Sequence, residues 1–122
     1  MIFSEVSEFT REFKKLAKKY KTLDTDLGVF KAVVSNLYEY EVEAERETFC
    51  QAFFDGKRAT ELPNYGSDFI VVKARFDCAY LNKDSLRIVF VKRDNKIVFV
   101  EIFNKSDKVR EDIDRIKRHL KS

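Results

Sequence analysis

The chain has 122 residues, 44% of them hydrophobic, and its 24 basic and 21 acidic residues give a formal net charge of +3. This length and composition can bury one core, so we expect a single domain over residues 1–122. Three glycines and one proline exclude a flexible linker. No apolar run approaches the roughly 20 residues that cross a bilayer, and no signal-peptide pattern is present, so we expect a cytoplasmic protein with no membrane partner.

A first amphipathic helix is predicted after a short edge strand over Met1–Glu5. Ser7 suits the N-cap of this helix, because its hydroxyl can accept a hydrogen bond from a free backbone amide. The basic side of the helix is either a solvated face with cations near the C-terminal end or a contact for phosphate or a partner. The apolar face contains Phe9, Phe13, Leu16, Ala17 and Tyr20, and the basic side contains Arg11, Lys14, Lys15, Lys18 and Lys19.

A second amphipathic helix follows a break at Thr22–Asp26, with Asp24 or Thr25 as its cap. Because the break is short, the two helices should pack as an antiparallel hairpin. Residues 39–62 remain open, since their start alternates as in a strand whereas residues 44–54 are equally compatible with a helix. The apolar stripe of the second helix is Leu27, Phe30, Val33, Val34, Leu37 and Tyr38.

A strand is predicted over Phe69–Asp77, where apolar and polar residues alternate. Successive strand residues point to opposite faces, so Lys73 and Arg75 share the face that lies away from the helical hairpin. A polar turn over Asn82–Ser85 then leads into the next strand. The face toward the helical hairpin contains Ile70, Val72, Ala74 and Phe76.

A β-hairpin is predicted from the apolar runs Leu86–Arg93 and Lys96–Phe103. Asp94-Asn95 or Asn95-Lys96 supplies a two-residue turn, because Asp and Asn tolerate the left-handed conformation. Both faces are largely apolar, so the hairpin should be covered on both sides. One face is expected to contain Arg87, Val89, Val91, Val98, Val100, Ile102 and Asn104, and the other Leu86, Ile88, Phe90, Ile97, Phe99, Glu101 and Phe103.

A final helix is predicted because the apolar period changes from two to 3.6 after Phe103. Ser106 or Asp107 would be its cap, and its apolar stripe should pack on the sheet. The predicted order is therefore β-α-α-β-β-β-α, an α+β fold that has an antiparallel sheet, an N-terminal helical hairpin and a C-terminal helix. The stripe consists of Val109, Ile113, Ile116 and Leu120.

In the order of its predicted elements, the chain resembles the RelE/ParE superfamily, whose members are small toxins of type II toxin–antitoxin pairs. The resemblance covers about half the chain, chiefly residues 69–120. Phe103 stands where the family often has Tyr. The matching strings are VKARFDC at residues 72–78, LRIVF at 86–90, IVFVEIFNK at 97–105, and then Asp107-Lys108, Glu111-Asp112 and Arg115-Ile116.

Three cations, Lys73, Arg75 and Arg87, should converge if the two strands present them on one face, and such a cluster favours an anion. The resemblance implies a metal-independent, ribosome-dependent mRNA endonuclease whose catalytic residues are these three. The neighbouring arginines favour the neutral amine of Lys73, which makes it the candidate base. Arg75 and Arg87 would hold the phosphate, and Lys105 and Lys108 would extend the RNA-binding surface.

Two alternatives remain beside this hypothesis. The three cations can be ordinary surface charges paired with nearby carboxylates, or the chain can be a non-catalytic binder such as a ParE-like gyrase inhibitor or an inactive relative. As partners the resemblance implies mRNA, the ribosome and an antitoxin, whose acidic segment we expect to cover the three cations. We expect no small-molecule substrate.

The cysteines and the histidine exclude several kinds of chemistry. Cys50 and Cys78 fit no metal-ligand spacing, so we expect reduced thiols, no metal and no cofactor. Cys78 should pack as a small core residue, and His119 should be a solvated residue at the end of the last helix. Two cysteines and one histidine also argue against Cys/His nucleophilic catalysis and zinc.

Overall fold

The structure is a computed structural model that describes residues 1–81 and 83–121. For residues 83 and 84 it describes only the backbone. Within these residues, one five-stranded sheet carries three helices on one face and the last helix on the other. The elements are β1 (Ile2–Glu5), α1 (Ser7–Ala17), α2 (Leu23–Glu39), α3 (Glu43–Phe54), β2 (Ala59–Glu61), β3 (Ile70–Cys78), β4 (Lys83–Arg93), β5 (Lys96–Asn104) and α4 (Ile113–Leu120).

The sheet has the strand order β1-β5-β4-β3-β2. The predicted α+β class is confirmed, but the predicted element order and the purely antiparallel sheet are wrong. Residues 39–62, which the sequence left open, supply the additional helix α3 and the short edge strand β2. The sheet is mixed because β1 pairs in parallel with β5, from Ile2 opposite Lys96 to Glu5 opposite Phe99.

The three N-terminal helices cover one face of the sheet and form the larger core with it. Phe30 of α2 is central, with ring centroids 5.6 Å from Phe76 and 6.1 Å from Phe90. The predicted caps are wrong by one to three residues: α1 begins at Ser7 itself, and α2 begins at Leu23 with Thr22, rather than Asp24 or Thr25, at the N-cap position. The Thr22 hydroxyl donates to Asp26 inside the helix, so it does not cap the helix.

A bulge at Val100 changes the predicted faces of the β4–β5 hairpin. The turn consists of Asp94-Asn95, which is one of the two predicted turns. Asp94 adopts a left-handed conformation with a φ of 53°. Phe90 pairs with Phe99 but Val89 pairs with Glu101, so Val100 is an extra residue. Beyond the bulge the faces exchange. Glu101 and Phe103 lie on the face of Arg87, and Ile102 joins the larger core, opposite to prediction.

The predicted faces of β3 are confirmed: Val72, Ala74 and Phe76 belong to the larger core. Val71 belongs to the smaller core on the opposite face, together with Val89 of β4. The predicted polar turn is wrong for residues 83–85, which lie in β4, while its first residue, Asn82, is outside the described residues.

The C-terminal helix begins later than predicted. Asp112, rather than Ser106 or Asp107, caps α4 by accepting a hydrogen bond from the Arg115 amide at 3.0 Å. Val109 therefore precedes the helix and is 84% exposed, whereas Ile116 is completely buried in the smaller core. The predicted stripe is thus right for Ile116 and Leu120, which pack in the smaller core, and wrong for Val109 and for Ile113, which is 38% exposed. Within the described residues, none of the helices has the length and apolarity needed to cross a membrane.

Candidate functional site: a cationic cleft

Arg75 in β3 lies directly opposite Arg87 in β4, and Lys73 lies opposite Val89. The expectation that the three cations share one sheet face is therefore confirmed by the register. Directly opposite residues have Cβ atoms about 4.5–5.5 Å apart. Two guanidinium groups at that spacing can reach the oxygens of one anion, so the pair is a candidate anion site.

A cleft of about 500 Å³ opens beside this pair, between the edge of the sheet and the segment that precedes α4. Among the described residues that line it, five are cationic and one is a carboxylate, so basic side chains predominate in its lining. Its volume is within the range of sites that hold a small molecule or a nucleotide-sized group. The charged lining consists of Lys57, Arg58, Lys73, Arg75, Arg87 and Glu111.

Two of these cations come from the segment that the sequence left open. Lys57 has a left-handed φ of 62° and turns the chain from α3 into β2. The Arg58 carbonyl accepts a hydrogen bond from the Arg75 amide at 2.8 Å, which fixes β2 beside β3. The Arg58 guanidinium lies 2.5 Å from a carboxylate oxygen of Asp77. The only signal in the sequence was a basic pair directly after the Asp55-Gly56 turn.

Lys73 has surroundings that differ from the prediction. Its Nζ lies 3.5 Å from Oε1 of Glu111, 3.5 Å from the Val109 carbonyl and 5.8 Å from the centre of the Phe103 ring. Each of these groups attracts the positive charge of the ammonium. The predicted role as base rested on the arginines alone, whereas the alternative prediction, a cation paired with a nearby carboxylate, matches the contact of Lys73 with Glu111, whose side chain is nine-tenths buried.

Tyr65 lies on the same face, where it packs against the smaller core. Burial raises the pKa of the Tyr65 phenol, and the negative charge of Glu111 raises it further, against a smaller opposite effect of Arg110. The phenol therefore stays protonated at neutral pH and can donate a hydrogen bond.

Lys105 and Lys108, predicted as further phosphate contacts, are not among the described residues that line the cleft. Lys108 forms an ion pair with Glu101, and its Nζ lies 5.4 Å from the centre of the Phe103 ring. Since Glu101 is completely buried, this pair tethers the segment before α4 to the sheet. Lys105 is exposed, and its amide extends the hairpin by donating to the Ser85 carbonyl at 2.9 Å.

The remaining reactive side chains lie elsewhere. His119 is half-buried, not simply solvated, and its Nε2 lies 3.3 Å from Oε1 of Glu8. Cys78 is 3% exposed and packs in the larger core, as predicted. Cys50 is half-buried, and its Sγ donates to the Leu37 carbonyl at 3.1 Å. Residues 1–81 and 83–121 hold no cluster of His, Cys, Asp or Glu suited to a metal ion.

The basic side of α1 is fully presented to solvent. Arg11, Lys14, Lys15, Lys18 and Lys19 are all exposed, so both predicted interpretations, a solvated face or a contact, remain predictions. Comparison of the chain with protein-family models, with curated proteins and with solved structures finds no match.

Proposed function

We propose that the chain is a RelE/ParE-like toxin that cleaves mRNA on the ribosome without a metal ion, and that the cationic cleft is its site. The observation that carries this proposal is the direct opposition of Arg75 and Arg87 inside a cleft that also holds Lys73 and Arg58. Two guanidinium groups at adjacent strand positions match the oxygens of one phosphate diester. The antiparallel order of β3, β4 and β5, with α4 behind them, is compatible with the resemblance.

In this proposal Arg75 and Arg87 hold the phosphate and stabilise the charge that develops on it. The ribose 2′-oxygen attacks the adjacent phosphorus, a new P–O2′ bond forms and the P–O5′ bond breaks. The 2′-hydroxyl gives up its proton to a base, and the leaving 5′-oxygen receives a proton from an acid. The products are a 2′,3′-cyclic phosphate and a free 5′-hydroxyl, so atoms and charge balance without a cofactor.

The Lys73–Glu111 pair is the proton-transfer pair of this proposal. Glu111 is a carboxylate within the cleft and can accept the 2′-hydroxyl proton. Lys73 lies beside Glu111 and the Phe103 ring, and its amino group can donate a proton to the leaving oxygen. These roles replace the predicted role of Lys73 as base, because a carboxylate, Glu111, lies beside Lys73.

An antitoxin is the proposed partner, with an acidic segment that lies over the cleft and folds as it binds. Such a segment places carboxylates where the phosphate would sit, which explains inhibition directly. The excess of cations over carboxylates in the cleft lining supports this choice.

The decisive experiment adds the purified chain to translating ribosomes and maps mRNA ends by primer extension. We expect new ends that carry a 5′-hydroxyl, produced by the native chain and absent with the Arg75→Ala, Arg87→Ala double variant. Lys14→Ala with Lys18→Ala is the matched control and should retain cleavage. A folded Arg75/Arg87 variant that cleaves as well as the native chain would refute the proposal.

A second candidate, a non-catalytic binder such as a gyrase inhibitor, is favoured by one observation. The ring of Phe103 lies beside Lys73 and Lys108. It has no hydroxyl, whereas the family often has a tyrosine at this position. If no mRNA end appears while growth still stops on expression, a supercoiling assay with purified gyrase tests this second candidate.

A further inference from the structure

We propose that Glu101 of β5 is a positioning residue for the Lys73–Glu111 pair of the cationic cleft. The carboxylate of Glu101 holds both ends of a short segment, residues 108–112, which we call the arch. The arch in turn carries Glu111 to Lys73. That this pair transfers protons rests on the proposed function, but the contacts of the arch do not depend on any reaction.

Glu101 is completely buried among the apolar residues of β5. A carboxylate in such a place is costly unless it is both paired with a cation and hydrogen-bonded. Glu101 has both kinds of partner. Its Oε2 forms an ion pair with the Lys108 ammonium, and its Oε1 accepts a hydrogen bond from the Asp112 amide at 2.8 Å. The two oxygens of one side chain thus hold the first and the last residue of the arch.

Between these two ends the arch has no backbone hydrogen bonds of its own. Within the part of the chain that the structure describes, the amides of Val109, Arg110 and Glu111 have no hydrogen-bond partner. The Lys108 amide donates to the Asn104 carbonyl at 3.2 Å and so belongs to the turn after β5. The course of the arch therefore depends on side-chain contacts, of which those with Glu101 hold its ends.

The middle of the arch contacts Lys73 in two places. Nζ of Lys73 lies 3.5 Å from the Val109 carbonyl oxygen and 3.5 Å from Oε1 of Glu111. Glu111 directly precedes Asp112, so Glu101 holds the peptide group next to the residue that pairs with Lys73. Release of that peptide group would free Glu111 to move away from Lys73.

The sheet register places Glu101 and Lys73 in one row of one face. Glu101 lies opposite Val89, and Val89 lies opposite Lys73. Because neighbouring strands are about 4.8 Å apart, the Cα atoms of Glu101 and Lys73 are separated by roughly 10 Å. The arch spans this distance, since its ends are held at β5 and its middle contacts β3.

The ring of Phe103 contacts two ammonium groups, each of which has its own carboxylate. Nζ of Lys73 lies 5.8 Å and Nζ of Lys108 lies 5.4 Å from the ring centre. Lys73 pairs with Glu111, and Lys108 pairs with Glu101. Without the charge of Glu101, Lys108 would lose its carboxylate and could compete with Lys73 for Glu111. The charge of Glu101 therefore helps to keep Glu111 paired with Lys73.

The test compares the native chain with Glu101→Gln, which removes the charge and keeps an oxygen for the Asp112 amide. The first measurement needs no activity: the lysines of the folded chain are acetylated with N-hydroxysuccinimidyl acetate and located by peptide mass spectrometry. Lys73 should react roughly threefold faster or more in the variant, because Glu111 and the Val109 carbonyl no longer hold its amine. Lys14, which is exposed on α1, should react at an unchanged rate.

Two further variants separate positioning from a loss of stability. Lys108→Met releases one end of the arch and should also raise the acetylation rate of Lys73. Glu12→Gln is the control, because Glu12 pairs with Arg115 and accepts from a backbone amide but lies outside the arch. It should lower the free energy of unfolding and leave the rate at Lys73 unchanged. An unchanged rate in folded Glu101→Gln and Lys108→Met, or an equal rise in Glu12→Gln, would overturn the proposal.

The second measurement is mRNA cleavage on translating ribosomes. Glu101→Gln should lower kcat about tenfold or more and change KM by less than about twofold, because the residues proposed to hold the phosphate are not displaced. A raised KM with an unchanged kcat would assign Glu101 to substrate binding and overturn its positioning role. If the native chain cleaves no mRNA, the proposed function fails, and the acetylation rates alone decide whether Glu101 positions the pair.

Discussion

Arg115 of α4 donates hydrogen bonds to both carboxylate oxygens of Glu12 in α1, at 2.8 and 3.0 Å. The same guanidinium donates to the carbonyl of Val100, the bulged residue, at 3.0 Å. Glu12 in turn accepts from the Ile102 amide at 3.4 Å. The Arg115–Glu12 pair thus supplies hydrogen-bond partners to the Val100 carbonyl and the Ile102 amide, two backbone groups that lie outside the strand ladder because of the bulge and the end of β1.

Replacement of Arg115 should therefore lower the free energy of unfolding by more than the removal of an ordinary surface ion pair does. We expect Arg115→Met to lower the free energy of unfolding by about 1.5–3 kcal/mol, since this change removes charged hydrogen bonds to partly buried groups. The measurement is urea unfolding followed by circular dichroism. Arg118→Met is the control: Arg118 pairs with Glu8 at an exposed position, and its replacement should cost less than about 1 kcal/mol. Equal effects of the two changes would show that the pair with Glu12 has no special role.

The bulge also explains which part of the sheet could be predicted from the sequence. Alternation placed Lys73, Arg75 and Arg87 on one face correctly, because β3 and the first half of β4 pair regularly. The same alternation failed beyond Val100, because one extra residue exchanges the two faces. Glu101 was the available signal: a carboxylate in an apolar strand needs partners, and it finds Lys108 and the Asp112 amide.

The segment between α2 and β3 was unpredictable for a different reason. Helix α3 has no clear apolar face, because it buries Phe53 alone, and an amphipathic period is the main signal from which a helix is predicted. Strand β2 has three residues, too few for an alternation to be recognised. Consequently Lys57 and Arg58, which complete the cationic cleft, could not be assigned to it from the sequence.

The corrected start of α4 leads to a prediction about two aliphatic residues of the C-terminal segment. Ile116 is fully buried, so Ile116→Ala should lower the free energy of unfolding by about 2–5 kcal/mol. Val109 is 84% exposed, so Val109→Ala should change it by less than about 0.5 kcal/mol. Urea unfolding of both variants measures the difference. A large effect at Val109 would mean that the helix extends back to this residue, as the apolar spacing had predicted.

Tyr38 carries a buried hydroxyl that has no hydrogen-bond partner among the described residues. Burial, with the nearby charge of Glu61, raises the pKa of this phenol. Tyr38→Phe should therefore raise the free energy of unfolding, by up to about 1–3 kcal/mol, because an unsatisfied polar group is removed. The ring remains, and so does the contact of Lys92, whose Nζ lies 4.9 Å from the ring centre. Tyr80→Phe, at a residue that is 55% exposed, is the control and should have little effect. A less stable Tyr38→Phe variant would indicate that the hydroxyl is bound by water.

Cys50 should make the stability depend on pH in the alkaline range. Burial raises the pKa of its thiol, with a smaller opposite effect of Arg46. A group whose pKa is higher in the folded state stabilises the fold below its unfolded pKa, and this contribution disappears as the pH rises toward the folded pKa. We expect the difference in stability between the native chain and Cys50→Ala to shrink as the pH rises above about 8.5, the ordinary pKa of a cysteine thiol. Alkylation of Cys50 at pH 8, followed by peptide mass spectrometry, should also be slower in the folded than in the unfolded chain. Equal rates would show that the thiol is fully accessible.

The last prediction concerns the two basic surfaces of the molecule, the cleft and the exposed side of α1. RNA that binds in the cleft should respond to charge reversal at Arg75 and Arg87, because these residues lie opposite each other and are proposed to hold the same phosphate. With a labelled oligouridylate as the probe, Arg75→Glu with Arg87→Glu should weaken binding more than tenfold.

Salt dependence gives the same prediction a second measurement. For a single-stranded RNA, each phosphate that the protein no longer neutralises should reduce the slope of log K against log salt concentration by roughly 0.7. Lys14→Glu with Lys18→Glu changes the same number of charges on α1, whose lysines are exposed. Because screening limits exposed charges to a range of about 10 Å at 0.1 M salt, this control should weaken binding about twofold or less. If the α1 variant binds RNA more weakly than the Arg75/Arg87 variant does, the RNA lies along α1, and the cleft is not the phosphate site.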